Sequence, residues 1–300
     1  MPEAAEVAVA AAQLHRIAAG RELRALDVTH PRTVRHTDPA GVSSLAGRRI
    51  EAVHRHGKWI VVAFAGSEDA LGIHLRMSGQ LLVAEPGTPH PDRHVHATLA
   101  LSPHPDLFWP TDSPACGGIR RPERGVQERG VVVWFRDPRT FGELRVLPGG
   151  RPPGAPDLFD PGVTGASLHA LAARRRAAVK AVLLDQQRVV AGIGSYLADE
   201  ALHRAGIDPT APAGELATSA WERILVAARA IATDSMAAGG VTLEDEGWVD
   251  LWGRPGTYAD ELRVHARRTC AACGTPTGAA VVGGRSARWC PRCQHPRRRR

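Results

Sequence analysis

Four of the five cysteines fall in one arrangement, Cys270-x2-Cys273-x16-Cys290-x2-Cys293, and no other feature of the 300-residue chain limits its fold as strongly. Each C-x-x-C is a tight knuckle that aims two thiolates at one ion, and two knuckles complete a tetrahedral site. The residues between the knuckles suffice for a β-hairpin, with Gly283-Gly284 supplying the positive φ of its turn. The spacing predicts one structural Zn2+ held by Cys270, Cys273, Cys290 and Cys293, with every position filled by protein and none left for chemistry. Cys116 stands alone in a Pro- and Arg-rich segment, and an odd count with paired knuckles argues for metal binding over a disulfide framework.

The charge is uneven. Residues 260–300 hold ten Arg and two acids, so that segment carries +8 of a formal net charge of +7, and the preceding residues sum to about −1. A concentrated basic end suits a polyanionic partner, nucleic acid above all, although Arg297–Arg300 can equally be a solvated tail. No apolar run reaches the length of a membrane span, and the start lacks the basic, then apolar pattern of a secretory signal. The expectation is a cytoplasmic, nucleoid-associated monomer.

Hydrophobic periodicity predicts an α+β multidomain chain. Residues 4–19 have helical spacing (Val7, Leu14, Ile17) with Gly20 as the stop. Short β-rich runs follow at Arg49 to Val53, Trp59 to Phe64, Leu81 to Val83, Ala97 to Leu101 and Val131 to Phe135. They predict an N-terminal helix plus β-sandwich over 1–146, with 104–130 as an inserted surface loop. A Pro/Gly linker spans 147–163, and a helical domain spans 164–262. That domain has helices from a Ser167 cap to Arg176, over Val179 to Leu184, from a Ser195 cap to Gly206, and from Ala217 to Ala238. The cysteine hairpin with its basic tail fills 263–300.

The chain starts Met1-Pro2-Glu3. Loss of Met1 exposes Pro2 as a secondary α-amine, which titrates far below a lysine and so is partly free base at neutral pH. A free amine can attack an electrophilic sugar carbon, and Glu3 beside it can move protons. Alone, such a start is common in proteins without this chemistry.

Further motifs occur in order along the chain: Gly57-Lys58-Trp59, His74-Leu75-Arg76-Met77-Ser78-Gly79, and Asp137-Pro138-Arg139-Thr140-Phe141-Gly142. Leu183-Leu184-Asp185-Gln186 through Gly192-Ile193-Gly194 and Ala198-Asp199-Glu200 follows, then Gly284-Arg285-Ser286 and Trp289-Cys290-Pro291-x-Cys293-Gln294. With the Met1-Pro2-Glu3 start, the chain resembles the formamidopyrimidine-DNA glycosylases, of the wider family that includes endonuclease VIII. The resemblance runs through nearly the whole length. It implies a β-sandwich, a helix–two-turn–helix domain and a zinc-finger hairpin.

The resemblance also implies roles. Pro2 forms a Schiff base with the deoxyribose of the lesion, Glu3 protonates the sugar, and Lys58 and Arg285 supply protons in β- and δ-elimination. Met77, Arg139 and Phe141 fill the gap left by the flipped nucleotide. An apolar wedge offsets lost stacking, and an Arg can pair with the orphaned base. Phosphates are expected at the backbone of Gly192, Gly194 and Ser195, where a helix begins, with Arg175 and Lys180 adding charge and His94 lying near the DNA. The segment Gly239 to Thr257 is a candidate cover for a flipped purine.

Departures are Ala4-Ala5 for Leu-Pro, Arg76 for a Gly beside Met77, and Ser195 for Asn. The reading is a bifunctional glycosylase/lyase for oxidised purines in duplex DNA. The alternatives are the same fold acting on oxidised pyrimidines, and a catalytically silent lesion-binding protein.

Overall fold

The computed structural model describes residues 1–37, 39–103, 130–243 and 247–294. Most of the expected 104–130 insertion, Cys116 and the tail Arg297–Arg300 lie outside the described residues. Contacts divide the chain into two compact units. The first comprises Met1–Pro152 with Ala238–Thr257, and the second Pro153–Ala237 with Tyr258–Arg300.

The first unit opens with α1 (Ala4–Ala18), which buries Val7, Ala10, Ala11, Leu14 and Ile17 along one face. Two four-stranded antiparallel sheets follow. One has the order β1 (Leu23–Val28), β6 (Val95–Leu101), β7 (Val131–Arg136) and β5 (Gln80–Ala84). The other runs β2 (Ile50–His56), β3 (Trp59–Phe64), β4 (Ala70–His74) and β8 (Glu143–Leu147). Leu81, Val83, Leu99 and Phe135 of the first sheet share one core with Val53, Val62, Leu71 and Ile73 of the second and with α1. The expected sandwich is therefore present.

Three strands have no clear signal in the sequence. β1, β4 and β8 are five or six residues long, and each carries charged or small residues that mask its apolar positions. The Asp137–Gly142 motif is the turn between β7 and β8.

Residues 238–243 and 247–257 fold with the sandwich, whereas the sequence division places them in a helical domain through 262. Trp248, Leu251 and Trp252 are buried in the core that α1 covers. The Leu251 amide donates to Gln13 Oε1 (3.0 Å), Gln13 Nε2 donates to Asp250 Oδ2 (2.8 Å), and the Val83 amide donates to the Leu251 carbonyl (3.0 Å).

The second unit contains α2 (Pro39–Ser43) neither in sequence nor in space; that short helix belongs to the sandwich. It holds α3 (Gly165–Ala172), α4 (Val179–Leu183), α5 (Ser195–Ala205) and α6 (Thr218–Ala237). Trp221, Ile224, Leu225 and Ile231 form the buried face of α6, which packs on α3 and α5. Thr164, not Ser167, caps α3: its hydroxyl accepts the Ser167 amide (3.1 Å), and Ser167 Oγ accepts the Thr164 amide (2.8 Å). The helix stops at Ala172, which leaves Arg174–Arg176 in the following turn. Gly206 ends α5 at φ 71°, the left-handed cap expected of glycine. The hairpin β9 (Gly278–Val282) and β10 (Arg285–Trp289) turns at Gly283 (φ 58°) and Gly284 (φ 74°), as the sequence predicts. No helix among the described residues is long and apolar enough to cross a membrane.

Candidate active site and nucleic-acid interface

Glu3 caps α1 from an extended backbone, and its amide donates to Glu6 Oε2 (2.7 Å). Glu6 Oε1 accepts the Val241 amide (2.8 Å), so this one carboxyl fastens the helix start to the 238–257 segment. Gly240 (φ 95°) lies against it; a Cβ there would come within 2.9 Å of Trp248 Nε1 and 3.0 Å of Glu6 Cγ. Pro2 is buried, and Glu3, Glu6 and Lys58 retain 2%, 1% and 7% of their exposure. Burial lowers the pKa of the terminal amine of Met1, one residue before Pro2. Glu3 and Glu6 oppose that shift, while Lys58 and Arg139 add to it. These four side chains are thus the amine's electrostatic neighbours.

Burial, then Glu3, pushes the Glu6 carboxyl above the usual carboxylate range. A raised folded pKa means that the protonated form is favoured on folding. That contribution is fully present below the ordinary pKa and is lost as pH rises through the folded value. Glu6→Gln removes the titration and keeps one acceptor oxygen. Thermal melts from about pH 4 to about pH 8 should show wild type losing ground against Glu6→Gln as pH rises. A difference constant across that range would contradict the shift.

Lys58 sits in the two-residue turn between β2 and β3, where Gly57 supplies the positive φ (58°). His74, the end of β4 paired with Trp59 of β3, is held well below its usual pKa by burial and by the Arg76 and Lys58 charges. As a neutral ring it accepts the Arg76 amide at Nδ1 (3.0 Å). Asp137, fully buried, organises the two turns that bear Met77, Arg139 and Phe141. Its Oδ1 accepts Ser78 Oγ (2.5 Å) and the Arg139 amide (3.2 Å), and its Oδ2 accepts the Gly142 amide (2.7 Å). Met77 is half-buried, Arg139 is exposed, and Phe141 keeps 42% exposure with the Arg139 guanidinium 5.1 Å from its ring centre. An exposed aromatic under an exposed arginine is spare contact surface, not core. His94 is half-buried, with its amide donating to Asp92 Oδ1 (2.8 Å) and its ring 6.4 Å from His96.

In the second unit the turn before α5 differs from expectation. Gly194 is the cap and Ser195 the first helical residue. Gln186 holds the turn by accepting the Gly192 amide at Oε1 (2.8 Å) and donating from Nε2 to the Ile193 carbonyl (2.5 Å). The Gly192 amide is therefore already used. Lys180, expected among charge contacts at the surface, is fully buried. Its ammonium donates to Asp199 Oδ1 (2.7 Å), to Ser195 Oγ (3.1 Å) and to the Ser286 carbonyl. It ties the turn to the hairpin strand next to Arg285. Arg175 pairs with Asp185 (2.9 Å); burial favours a higher Asp185 pKa, but the Arg175 bond and local amides bring it below the usual value. Arg285 is exposed at the start of β10.

Asp199 and Glu200 stand in the sequence only as part of the motif Ala198-Asp199-Glu200. Asp199 also meets His265 Nδ1 (2.8 Å), and Glu200 accepts the amides of Arg263, Val264 and His265 at 2.8–2.9 Å. The available signal was a pair of acids inside the otherwise apolar stretch Tyr196–Leu202.

The four cysteine sulfurs lie within 4.8 Å of one another and form no disulfide. Cys273 Sγ is 3.5 Å from Cys290 Sγ and 3.6 Å from Cys293 Sγ. Four thiolates bound tetrahedrally at ~2.3 Å would stand about 3.8 Å apart, so the donor set fits one zinc-sized ion. Among the described residues, no other cluster of three or more potential ligands is present.

A sandwich with a buried terminal amine, a helical unit with a glycine-capped turn and a four-cysteine hairpin together define a DNA glycosylase of the helix–two-turn–helix class. Residues 1–144 match the model of the formamidopyrimidine-DNA glycosylase N-terminal domain, and residues 155–246 match that of its H2TH domain. The formamidopyrimidine-DNA glycosylase of Nocardioides sp. is 36% identical, covering 100% of this chain and 97% of the relative. That of Nocardia farcinica is 35% identical, with both chains fully covered. The crystal structure of the MutM (Fpg) protein from Thermus thermophilus is 29% identical with a TM-score of 0.76, covering 98% of each chain. A Lactococcus lactis FPG mutant bound to Fapy-dG-containing DNA shares the fold at a TM-score of 0.80 and 22% identity, covering 98% of this chain and all of that one. The chain belongs to the formamidopyrimidine-DNA glycosylase family.

Proposed function

We infer that the protein is a bifunctional DNA glycosylase and abasic-site lyase that removes oxidised purines, 8-oxoguanine and formamidopyrimidines, from duplex DNA. The observation that carries this reading is the desolvated terminal amine with Glu3, Glu6, Lys58 and Arg139 as its charged neighbours. Burial disfavours the ammonium, so the amine is held closer to its nucleophilic form. With Met1 removed, that role passes to the Pro2 nitrogen.

Attack of this nitrogen on C1′ breaks the bond to the damaged base, which leaves with the proton that the amine gives up, and Glu3 delivers a second proton to the ring oxygen as the sugar opens. The product is an iminium joining Pro2 to C1′. It acidifies the C2′ hydrogen, so β-elimination expels the 3′ phosphate, with Lys58 moving the proton. Arg285 serves the following δ-elimination, which releases the 5′ phosphate. Met77, Arg139 and Phe141 occupy the space left by the everted nucleotide, because exposed apolar and cationic side chains on two short turns suit a gap in stacked bases. Arg175, Gly194, Ser195 and His94 are assigned to the DNA contact surface. Lys180 is assigned to holding Ser195 and the hairpin strand in place. The cysteine cluster holds one structural Zn2+.

A panel of duplexes, each with one lesion, tests the substrate class. Strand cleavage at 8-oxoguanine or formamidopyrimidine at least about tenfold faster than at thymine glycol is the expected result. The reverse order selects oxidised pyrimidines, and binding of every lesion without cleavage of any overturns the enzymatic reading.

A further inference from the structure

Residues 75–79 and 137–142 form two turns in the sandwich unit, and two carboxylates tie them together. Asp137 makes the first tie, through Ser78 on one side and the Arg139 and Gly142 amides on the other. The second joins Arg76 Nη2 to Glu143 Oε1 at 3.3 Å. Glu143 begins β8 and stands opposite His74, the last residue of β4. Its side chain keeps 2% exposure, against 44% for Arg76. Its other oxygen, Oε2, is inaccessible and has no hydrogen-bond partner.

Both residues sit at a cost. Arg76 holds φ 55°, a conformation that glycine adopts freely and an L side chain does not, and Thr140 on the facing turn holds φ 54°. A buried carboxylate with one oxygen unpaired is expensive, and a small apolar residue at 143 would avoid that cost. The Arg76 contact compensates the Glu143 charge at Oε1. Among the described residues, the Arg76 guanidinium bonds Glu143 Oε1, and that contact directs the arginine side chain. A half-exposed ion pair by itself contributes little to stability. Breaking this one leaves a buried charge uncompensated, so the coupling between the two positions exceeds that of a surface pair.

We propose that Arg76 and Glu143 are a positioning pair that sets the Met77 turn against the Arg139–Phe141 turn and so governs how fast these side chains enter the duplex. The inference rests on the reading above that those three residues fill the gap. Glu143 is buried and touches no substrate; it acts through Arg76. The pair is a second fastener beside Asp137, at the one place where the turn carries an arginine in a glycine conformation.

The test is stopped-flow fluorescence with a lesion duplex carrying 2-aminopurine beside the lesion, run beside β-elimination at a preformed abasic site. The abasic nucleotide has no base to extrude. Arg76→Gly and Glu143→Gln should each slow the fluorescence rise about tenfold while changing abasic-site cleavage less than about twofold. Arg76→Lys should recover part of the loss. The double variant Arg76→Gly with Glu143→Ala should be no slower than Arg76→Gly alone, because both substitutions break one contact. Unchanged insertion in both single variants overturns the proposal, and so does an equal loss in both reactions, which marks a general folding defect. If wild type cleaves but shows no insertion signal, the gap-filling reading falls and takes the pair's role with it.

Discussion

Removing the metal from the four-cysteine cluster, or replacing Cys270 by Ser, lowers affinity for a lesion duplex by at least about 100-fold, roughly 2.7 kcal/mol. The reason lies in what else supports the hairpin. Its buried apolar cluster is small, Val264 with Cys270 and Cys290, while Ala279, Ala280 and Val281 of β9 are exposed. Two hydrogen bonds of Gln294, one accepting the Cys290 amide and one donated to the Ile207 carbonyl, attach the second knuckle to the end of α5, and Lys180 and Ser195 donate to the Ser286 carbonyl of β10. Such support is far weaker than the ~10–16 kcal/mol with which zinc folds comparable peptides. Without the ion, Arg285, Arg288 and Arg292 lose their common framework. Fluorescence anisotropy at fixed salt measures the loss, and readdition of Zn2+ should restore binding to the chelated wild type but not to Cys270→Ser. Full affinity after verified metal removal would show that the knuckles hold the hairpin alone.

Replacing Pro2 by Gly lowers the yield of borohydride-trapped protein–DNA adduct by at least about 100-fold. Glycine keeps a terminal amine but makes it primary, so the variant loses both the fixed orientation and the permanently charged iminium of a secondary amine. Proline's ring fixes φ and presents a secondary nitrogen in one orientation at the foot of α1, whereas a glycine amine samples many. A misplacement of about 1 Å at a reacting atom already costs on the order of a hundredfold. α1 keeps its buried Val7, Leu14 and Ile17 in the variant, so the fold should persist. Equal melting temperatures for the two proteins, measured alongside the trapping, separate lost chemistry from lost structure.

The parts of this molecule legible in its sequence are those coded by local chemistry. The knuckle spacing and the Gly283-Gly284 turn specify the hairpin, because thiolates and positive φ leave few alternatives. α1, α5 and α6 follow from apolar periodicity and the Gly206 stop. What was hidden depends on partners remote in the chain. β4 is recognisable as a strand only once Leu71 and Ile73 meet the opposite sheet. The return of Trp248 and Trp252 to the sandwich core depends on Gln13, more than 200 residues earlier. Lys180 looks like any surface lysine until Asp199, Ser195 and Ser286 surround it. Helix caps failed for a subtler reason: Thr164 and Ser167 form one reciprocal pair, and composition does not say which of the two comes first in the cap.

Peptide mapping of the borohydride-reduced adduct tests the central claim most directly. After nuclease and protease digestion, mass spectrometry should find the sugar remnant on the nitrogen of Pro2, in a terminal peptide that has lost Met1. A remnant on Lys58 or any other lysine, or a terminal peptide still bearing Met1 in protein that nonetheless forms the adduct, would contradict the account.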